Sequence, residues 1–470
     1  MGIAAAVSLA GAGKGTRETQ AASASDNKAV TTKNGAPRLP PTRGPLRVST
    51  RNPRYFEDRA GKIVYLTGSH TWTSLQDITG ENWMRPIAAL GGYRAYLDRM
   101  ARYPHNFFRL WIVEHAWDSK SGARISPHPW MRTGPGTARD GRPKFDLDRP
   151  NPAYFIRLEE RIAAARRRGV YVGVMLFDDW STENGGAWEG HPFHRDNNVN
   201  SVDADLDKNG LGVEFHTLRD KRILAYQEAY VRRVVETVSR FDNVLYEVAN
   251  ETSVVGSKAW QYHFIGFLKK LQAQKRLRHP VGMTVADTEV DNAALFASDA
   301  EWISPGETRQ ASYMADPPAA EGKKVILTDT DHLWGVGGDA DWVWKSFLRG
   351  HNPIYMDPLF EEAKHEAVRQ AMGRTWRLAA RMNLTRMTPR PELSSTRYCL
   401  AAPGQEYLIY QPGAGTFTVE LSAGAYKAQW FDPQADVLLP KQRIHSPGGR
   451  ETFAPPIRGQ AVLHLKRRVQ

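Results

Sequence analysis

Val244-Leu-Tyr-Glu-Val-Ala-Asn-Glu251 decides how this chain is read. An apolar run of this length suits a strand buried on both faces, and it stops abruptly at an adjacent amide and carboxylate, Asn250 and Glu251. Parallel barrel strands present their C-termini on one rim, so a strand ending this way delivers polar groups there.

From about residue 60 the chain alternates short apolar runs with amphipathic stretches, the pattern of βα units around a parallel sheet. The expected strands are Ile63–Thr67, Phe107–Ile112, Val170–Phe177, Val244–Ala249, Val281–Val285, Trp302–Ser304, Val325–Thr328 and Pro353–Met356. Eight such strands close a barrel. Phe155, Leu158, Ile162 and Ala165 predict a helix over 153–168 that stops at Gly169, and Ile223, Tyr226, Tyr230 and Val234 predict another over 217–240. Only Thr67-Gly68-Ser69-His70 follows the first run, with no glycine-rich phosphate turn, so a closed (β/α)8 TIM barrel is favoured over a doubly wound open sheet.

Beyond Pro389-Arg-Pro391 the pattern changes to short strands split by Gly and Pro: Tyr398–Ala401, Glu406–Gln411, Gly415–Leu421, Gly424–Phe431 and Ala461–Leu465. These predict a small antiparallel β-sandwich. The resulting division is 1–45, a disordered leader or signal remnant; 46–388, the barrel; and 389–470, the sandwich. No internal repeat is evident.

Composition narrows the function classes. With 470 residues, 41% of them hydrophobic, the chain can bury a sizeable core. The formal charge of +12 is scattered apart from Arg166-Arg167-Arg168 and Lys466-Arg467-Arg468, and no nucleic-acid-binding module accompanies it, so a nucleic-acid partner is not expected. Cys399 stands alone, which excludes an intrachain disulfide and a cysteine metal site. No run reaches the length of a membrane span. Residues 3–13 resemble the apolar core of an export signal with small residues after it at Ala21-Ala22-Ser23-Ala24, although a basic segment before them is missing; they predict a secreted or periplasmic protein. Oligomeric state is not encoded in any motif.

Residues just past each apolar run are the candidates for chemistry. They are Arg109 and Trp111, within the second run itself, followed by Glu114, His115 and Trp117, on strand two; Asp178, Asp179 and Trp180 on strand three; Asn250 and Glu251 on strand four; Glu307 and Arg309 on strand six; Asp329, Asp331, His332 and Trp334 on strand seven; and Asp357 on strand eight. A single Glu at a strand end is more often a salt-bridge partner, and a single Trp more often core. Carboxylates and tryptophans converging on one rim are what glycoside hydrolysis requires: one protonated acid for the leaving oxygen, one ionised carboxylate, and aromatic faces for pyranose rings. Trp180 and Trp188 are the expected sugar platforms. Glu307 is expected to bind or orient substrate.

Tyr246-Glu-Val-Ala-Asn-Glu251 together with Phe107-Phe-Arg109-Leu-Trp111 resembles the clan of retaining (β/α)8-barrel glycoside hydrolases, the cellulase-like enzymes. Leu66-Thr-Gly68, the Asn-Glu pair and the terminal sandwich look like bacterial members whose C-terminal module is labelled collagen-binding. The resemblance spans about residues 55–465. It implies Glu251 as acid/base, Asn250 as the partner of the sugar 2-hydroxyl and Arg109 as the cation that keeps the nucleophile ionised. The clan's strand-seven Glu is absent here. Val325-Ile-Leu-Thr-Asp329-Thr-Asp331-His332 offers Asp329 at the aligned position, with Asp331 as competitor. The shorter side chain leaves open a retaining attack or an inverting one through water. The expected partner is a plant or microbial poly- or oligosaccharide, with no organic cofactor required; the alternative is a non-catalytic carbohydrate- or matrix-binding protein on a degenerate barrel.

A separate constellation is Asp203-Ala-Asp205-Leu-Asp207-Lys-Asn209-Gly210. Asp205, Asp207 and Asn209 followed by Gly210 match the first half of a calcium loop, a candidate structural Ca2+ site. The twelfth position holds His216 instead of an acid, and Glu214 lies two residues earlier. His191 and His194 lack the helical spacing of a zinc pair. Gly335, Gly337 and Gly338 are expected to turn the chain into a helix whose Trp342, Trp344 and Phe347 are core.

Overall fold

The computed structural model describes residues 39–72, 74–80, 87–286, 289–309 and 311–468. The export-like stretch 3–13 and most of the 1–45 leader lie outside the described residues. Residues 39–45, which composition assigns to the leader, are packed instead: Leu39 is buried, the Thr42 hydroxyl donates to Asp242, and the Arg43 N–H donates to the Tyr171 hydroxyl.

Eight strands pair in parallel: β1 Gly68–His70, β2 Phe107–Leu110, β3 Tyr171–Asp178, β4 Val244–Asn250, β5 Val281–Thr284, β6 Trp302–Ser304, β7 Val325–Ile326 and β8 Ile354–Met356. Strands β2 to β7 form one six-stranded sheet in sequential order, and β1 pairs with β8 in a second. Single parallel bridges, Thr71 with Leu110 and Asp329 with Ile354, connect the edges of the two. Every residue of β3 and β4 is buried, as a sheet covered on both faces demands. Register sets Gly173 beside Arg109 and Asp178 beside Asn250, so the tips of β3 and β4 lie level.

The first parallel strand is displaced from its expected place. Ile63–Val64 pairs antiparallel with Phe56–Glu57 in a three-stranded sheet with Arg47–Val48. The parallel strand comes five residues later, as the polar but fully buried Gly68-Ser69-His70. Gly68 permits this, since a Cβ there would lie 2.2 Å from the Phe107 carbonyl oxygen. Polar side chains hide such a strand from any search for apolar runs.

The helices that follow the strands are α1 Tyr93–Arg102, α2 Pro152–Arg166, α3 Lys221–Val238, α4 Ser257–Gln274, α5 Asn292–Ala297, α6 Ala340–Leu348 and α7 Ala363–Ala379. Two of them show why the sequence starts and stops them there. Asn151 caps α2, with Pro152 in its first turn, and Gly169 at φ +75° ends the connection to β3. Asp220 caps α3 by accepting from the Arg222 and Ile223 N–H groups, which starts the helix four residues after the expected 217. Ile223, Tyr230, Val231, Val234, Val235 and Val238 form its buried stripe. Each such side chain contributes about 1.5–3 kcal/mol by leaving water. The hairpin Trp130–Thr137 with Pro143–Pro150, inserted after β2, was not anticipated because Gly and Pro interrupt its alternation.

The C-terminal region forms a seven-stranded antiparallel sheet and a two-stranded one, Phe417–Leu421 with Gly449–Phe453. Period-two alternation splits the larger sheet. Leu400, Leu408, Tyr410 and Val462 pack on α6 and α7, whereas Ala401, Tyr407, Ile409 and Leu463 share a core with Phe417, Val419 and Leu421. Trp342, Trp344 and Phe347 of α6 are core, as expected, and Trp344 stacks on Tyr410. Among the described residues no helix is long and apolar enough to cross a membrane.

Candidate active site

Arg109, fully buried on β2, is the hub of the strand-tip floor. Its Nε donates to Glu247 at 2.9 Å and its Nη2 bonds the same carboxylate. Nη1 donates to Asp329 at 2.8 Å and to Asp331 at 3.1 Å, and Nη2 donates to Asn250 at 2.7 Å. Burial alone would favour loss of the proton, but Glu247 and Asp329 outweigh it and hold the guanidinium charged. The indole of Trp111 lies 4.9 Å from the guanidinium carbon and adds a cation–π contact.

Asp329 and Asp331 sit side by side with their carboxyls shifted in opposite directions. Asp329 is wholly enclosed: Oδ1 accepts from His70 Nε2 at 2.9 Å and from the Asp331 N–H at 3.0 Å, and Oδ2 accepts from Arg109. Trp111 donates its indole N–H to His70 Nδ1 at 2.8 Å, which leaves the imidazole proton on Nε2, facing Asp329. Burial opposes ionisation of Asp329, yet His70 and Arg109 outweigh it and hold the carboxyl well below its usual range. Asp331 is 7% exposed. Burial, reinforced by the Asp329 charge and only partly offset by Arg109, pushes it up to about 6.

Glu251 follows β4 in a left-handed conformation, φ 51°, which an L-residue adopts only when its surroundings impose it. A Glu251 carboxylate oxygen, an Asp331 carboxylate oxygen and a His332 ring nitrogen all lie within 4.8 Å of one another. Asn250 braces the group: its Nδ2 donates to Glu251 at 3.3 Å, and its Oδ1 accepts from Arg109 and from His332 Nε2 at 3.2 Å. His332 Nδ1 accepts from the Ser304 hydroxyl at 2.8 Å. Burial, then the Arg109 charge, lowers His332 to about 3.

Behind this floor lies a second buried cluster. Asp179 accepts from His216 Nδ1 at 2.9 Å and from the Ser253 N–H at 2.8 Å, two residues past Glu251. Burial disfavours a charge on His216, but Asp179 and Glu114 outweigh it and push the imidazole up to about 10. Asp178 moves the other way: burial, then Glu114 and Asp179, raise it well above the carboxylate range, and its Oδ1 has no hydrogen-bond partner.

The structure thus gathers Arg109, Asn250, Glu251, Asp329, Asp331 and His332. Trp111, Asp178 and Asp179, expected to meet substrate, are almost fully buried and brace the floor from behind. Trp180 is 38% exposed, against His115, and is available as a platform. Trp188 is not: it is 1% exposed and stacked on His191. Trp334 is half-buried edge-on to Trp342. Glu307 is exposed and accepts from the Met314 N–H, closing its own loop. Sequence reasoning missed His70, Glu247 and His216. His70 was recoverable only once β1 was placed, and Glu247 only from a register that puts it on the same face as Arg109, across β3 and two residues further along.

A family model described as a domain of unknown function, DUF6298, matches residues 117–305. No curated protein matches the chain. Among solved structures, a protein named glycoside hydrolase superposes with a TM-score of 0.58 at 12% identity, over 91% of this chain and 98% of its own. A glycoside hydrolase family 5 protein from Bacteroides vulgatus ATCC 8482 does so with a TM-score of 0.58 at 11% identity, over 94% and 95%. A candidate glycoside hydrolase from the same organism gives 0.59 at 16%, over 91% and 83%. The chain shares a mixed α/β fold with these glycoside hydrolases.

Proposed function

We propose that the protein is a glycoside hydrolase, with Glu251 as acid/base and Asp331 as the second carboxylate, cleaving a poly- or oligosaccharide. The observation that carries this reading is the pair of carboxylate oxygens, Glu251 and Asp331, within 4.8 Å of one another above the Arg109 hub. That spacing suits a direct attack, for which about 5–5.5 Å is usual, better than an inverting one at about 6.5–9.5 Å. Asp329 has no lone pair directed at open space. Its role in this reading is to fix Arg109 and His70. The edge bridges at Thr71 and Asp329 support a closed (β/α)8 barrel, and the shared core of the two C-terminal sheets supports a sandwich.

In the cycle, Glu251 gives its proton to the glycosidic oxygen as the bond to the anomeric carbon breaks and an Asp331 oxygen bonds that carbon. Glu251 then takes a proton from water, whose oxygen displaces Asp331 and frees the sugar. The left-handed backbone at Glu251 and the Asn250 amide aim the acid. Trp180 offers a face to a sugar ring. A metal-dependent hydrolysis through Glu251, Asp331 and His332 is disfavoured, because both His332 nitrogens are already committed to Ser304 and Asn250. In the C-terminal region, Tyr407, Tyr410, Tyr426 and Trp430 are all buried, which supports structural support over polymer or matrix binding.

The test is a hydrolysis screen of wild type, Glu251→Gln and Asp331→Asn on aryl glycosides and on plant and bacterial polysaccharides. Cleavage by wild type that both variants lose is expected. Polysaccharide binding by all three proteins with no cleavage of any substrate would replace this reading with that of a binding protein.

A further inference from the structure

The long connection between β3 and α3 carries a feature that the hydrolytic site does not use. Asp205 Oδ1 accepts from the Asn209 N–H and Oδ2 from the Gly210 N–H, both at 3.0 Å, while Asp207 Oδ1 accepts from the Asn209 N–H at 3.1 Å. Gly210 turns the chain at φ +88°. These bonds curl the loop so that its alternate acidic side chains share one side, and a carboxylate oxygen from each of Asp205, Asp207 and Glu214 lies within 4.8 Å of the others.

Glu214 makes this more than an acidic turn. It is 4% exposed, and its Oε2 is buried with no hydrogen-bond partner. A buried carboxylate oxygen left unpaired beside two further carboxylates is costly unless a cation sits among them. The nearby cations lie elsewhere: Lys208 Nζ bonds Asp203 and the Asp205 carbonyl, and Arg219 stands 3.7 Å from the other Glu214 oxygen, Oε1.

We propose that Asp205, Asp207, Asn209 and Glu214 bind one calcium ion, with Glu214 supplying the acid that the twelfth loop position lacks. An all-oxygen set on an irregular loop suits Ca2+, which takes 6–8 oxygens at about 2.3–2.6 Å, better than Mg2+, which demands a tight octahedron and gives up water reluctantly. The ion would pin the turn Val213–His216, and so His216 against Asp179, whose other oxygen holds the Ser253 N–H. The calcium loop is thereby tied to the backbone two residues beyond Glu251.

Calorimetric titration of the EDTA-stripped full chain with CaCl2, with MgCl2 as control, tests this. Wild type is expected to bind one Ca2+ and to gain about 3 °C in Tm at a hundredfold excess over Kd, with Mg2+ giving less. Tryptic cleavage at Lys208 is expected to slow in Ca2+. Asp207→Asn, at an exposed position that leaves folding intact, should lose the calcium heat, the Tm gain and the protection together, and Glu214→Gln should do the same. No calcium heat in wild type, or an equal response in Asp207→Asn and Glu214→Gln, would overturn the proposal.

Discussion

The strand-tip floor and the C-terminal sheet are buried to the same degree and built from opposite materials. In the sheet, Tyr407, Ile409, Leu463 and Phe417 enclose one another and leave little for the solvent to do. In the floor, one guanidinium and the carboxylates of Glu247, Asp329 and Asp331 are buried against one another. Charges removed from water are repaid only in part by pairing, so hydrophobic residues would usually stabilise such a place better. The floor is arranged for something other than stability, and the sheet is not.

The comparison breaks first on turnover. Glu251→Gln and Asp331→Asn should each lower turnover on a cleaved polysaccharide by about 10⁴-fold, while leaving the far-ultraviolet circular dichroism unchanged. In Glu251→Gln, substrates with good leaving groups should keep part of their first-step rate, because they need no proton; equal loss on both would remove Glu251 from the acid role.

Next is the sheet. Trp344→Ala removes the ring that stacks on Tyr410 and packs at a tilt against Phe431, and should cost about 4 kcal/mol in denaturant unfolding. Activity per folded molecule should stay at the wild-type level. A selective loss of turnover there would mean that the sheet acts on the site.

Asp329→Asn replaces an acceptor oxygen that faces only donors, and should destabilise by about 3 kcal/mol. Asp331→Asn should do the reverse. Its folded carboxyl is raised to about 6, above its unfolded value, so the folded state binds the extra proton between roughly pH 4 and 6 and the group's contribution to stability falls as pH rises through that window. At pH 8 the asparagine variant should therefore be more stable than wild type by on the order of 1 kcal/mol, and at pH 4 the difference should vanish. Thermal unfolding at the two pH values checks this, and a destabilised variant at both would place Asp331 with Asp329.

The smallest effect is on the acid limb. If Asp331 must be ionised, kcat/KM should fall about tenfold per pH unit below about 6. A flat profile from pH 5 to 7 would point to the already ionised Asp329.

Much of the fold was legible where length and apolarity coincide. Strands β3, β4 and β6 were found nearly to the residue, and the helices followed from the spacing of Phe155, Leu158, Ile162 and Ala165, the stop at Gly169 and the apolar stripe of α3. Strand β1 was not legible, because Gly-Ser-His has no strand signature until Phe107 passes beside it. At the site, Arg109, Asn250, Glu251, Asp329, Asp331 and His332 were readable as residues at strand tips, since a parallel sheet converts sequence position into a place on a rim. Their division of labour was not. Glu247 looks like a tolerated polar residue inside a strand, and Trp188 looks like a platform; burial and register decided otherwise for both.

By itself the sequence determined the alternating architecture, the change of pattern near residue 389 and the rim on which charges gather, because hydrophobic period and strand ends are local properties. Only the tertiary structure decided which of two neighbouring aspartates is locked and which is open. Asp329 and Asp331 differ by two residues and not at all in chemistry. Arg109 donates to both; what separates them is His70, which long-range packing brings from β1 to Asp329 alone, and the deeper burial of Asp329.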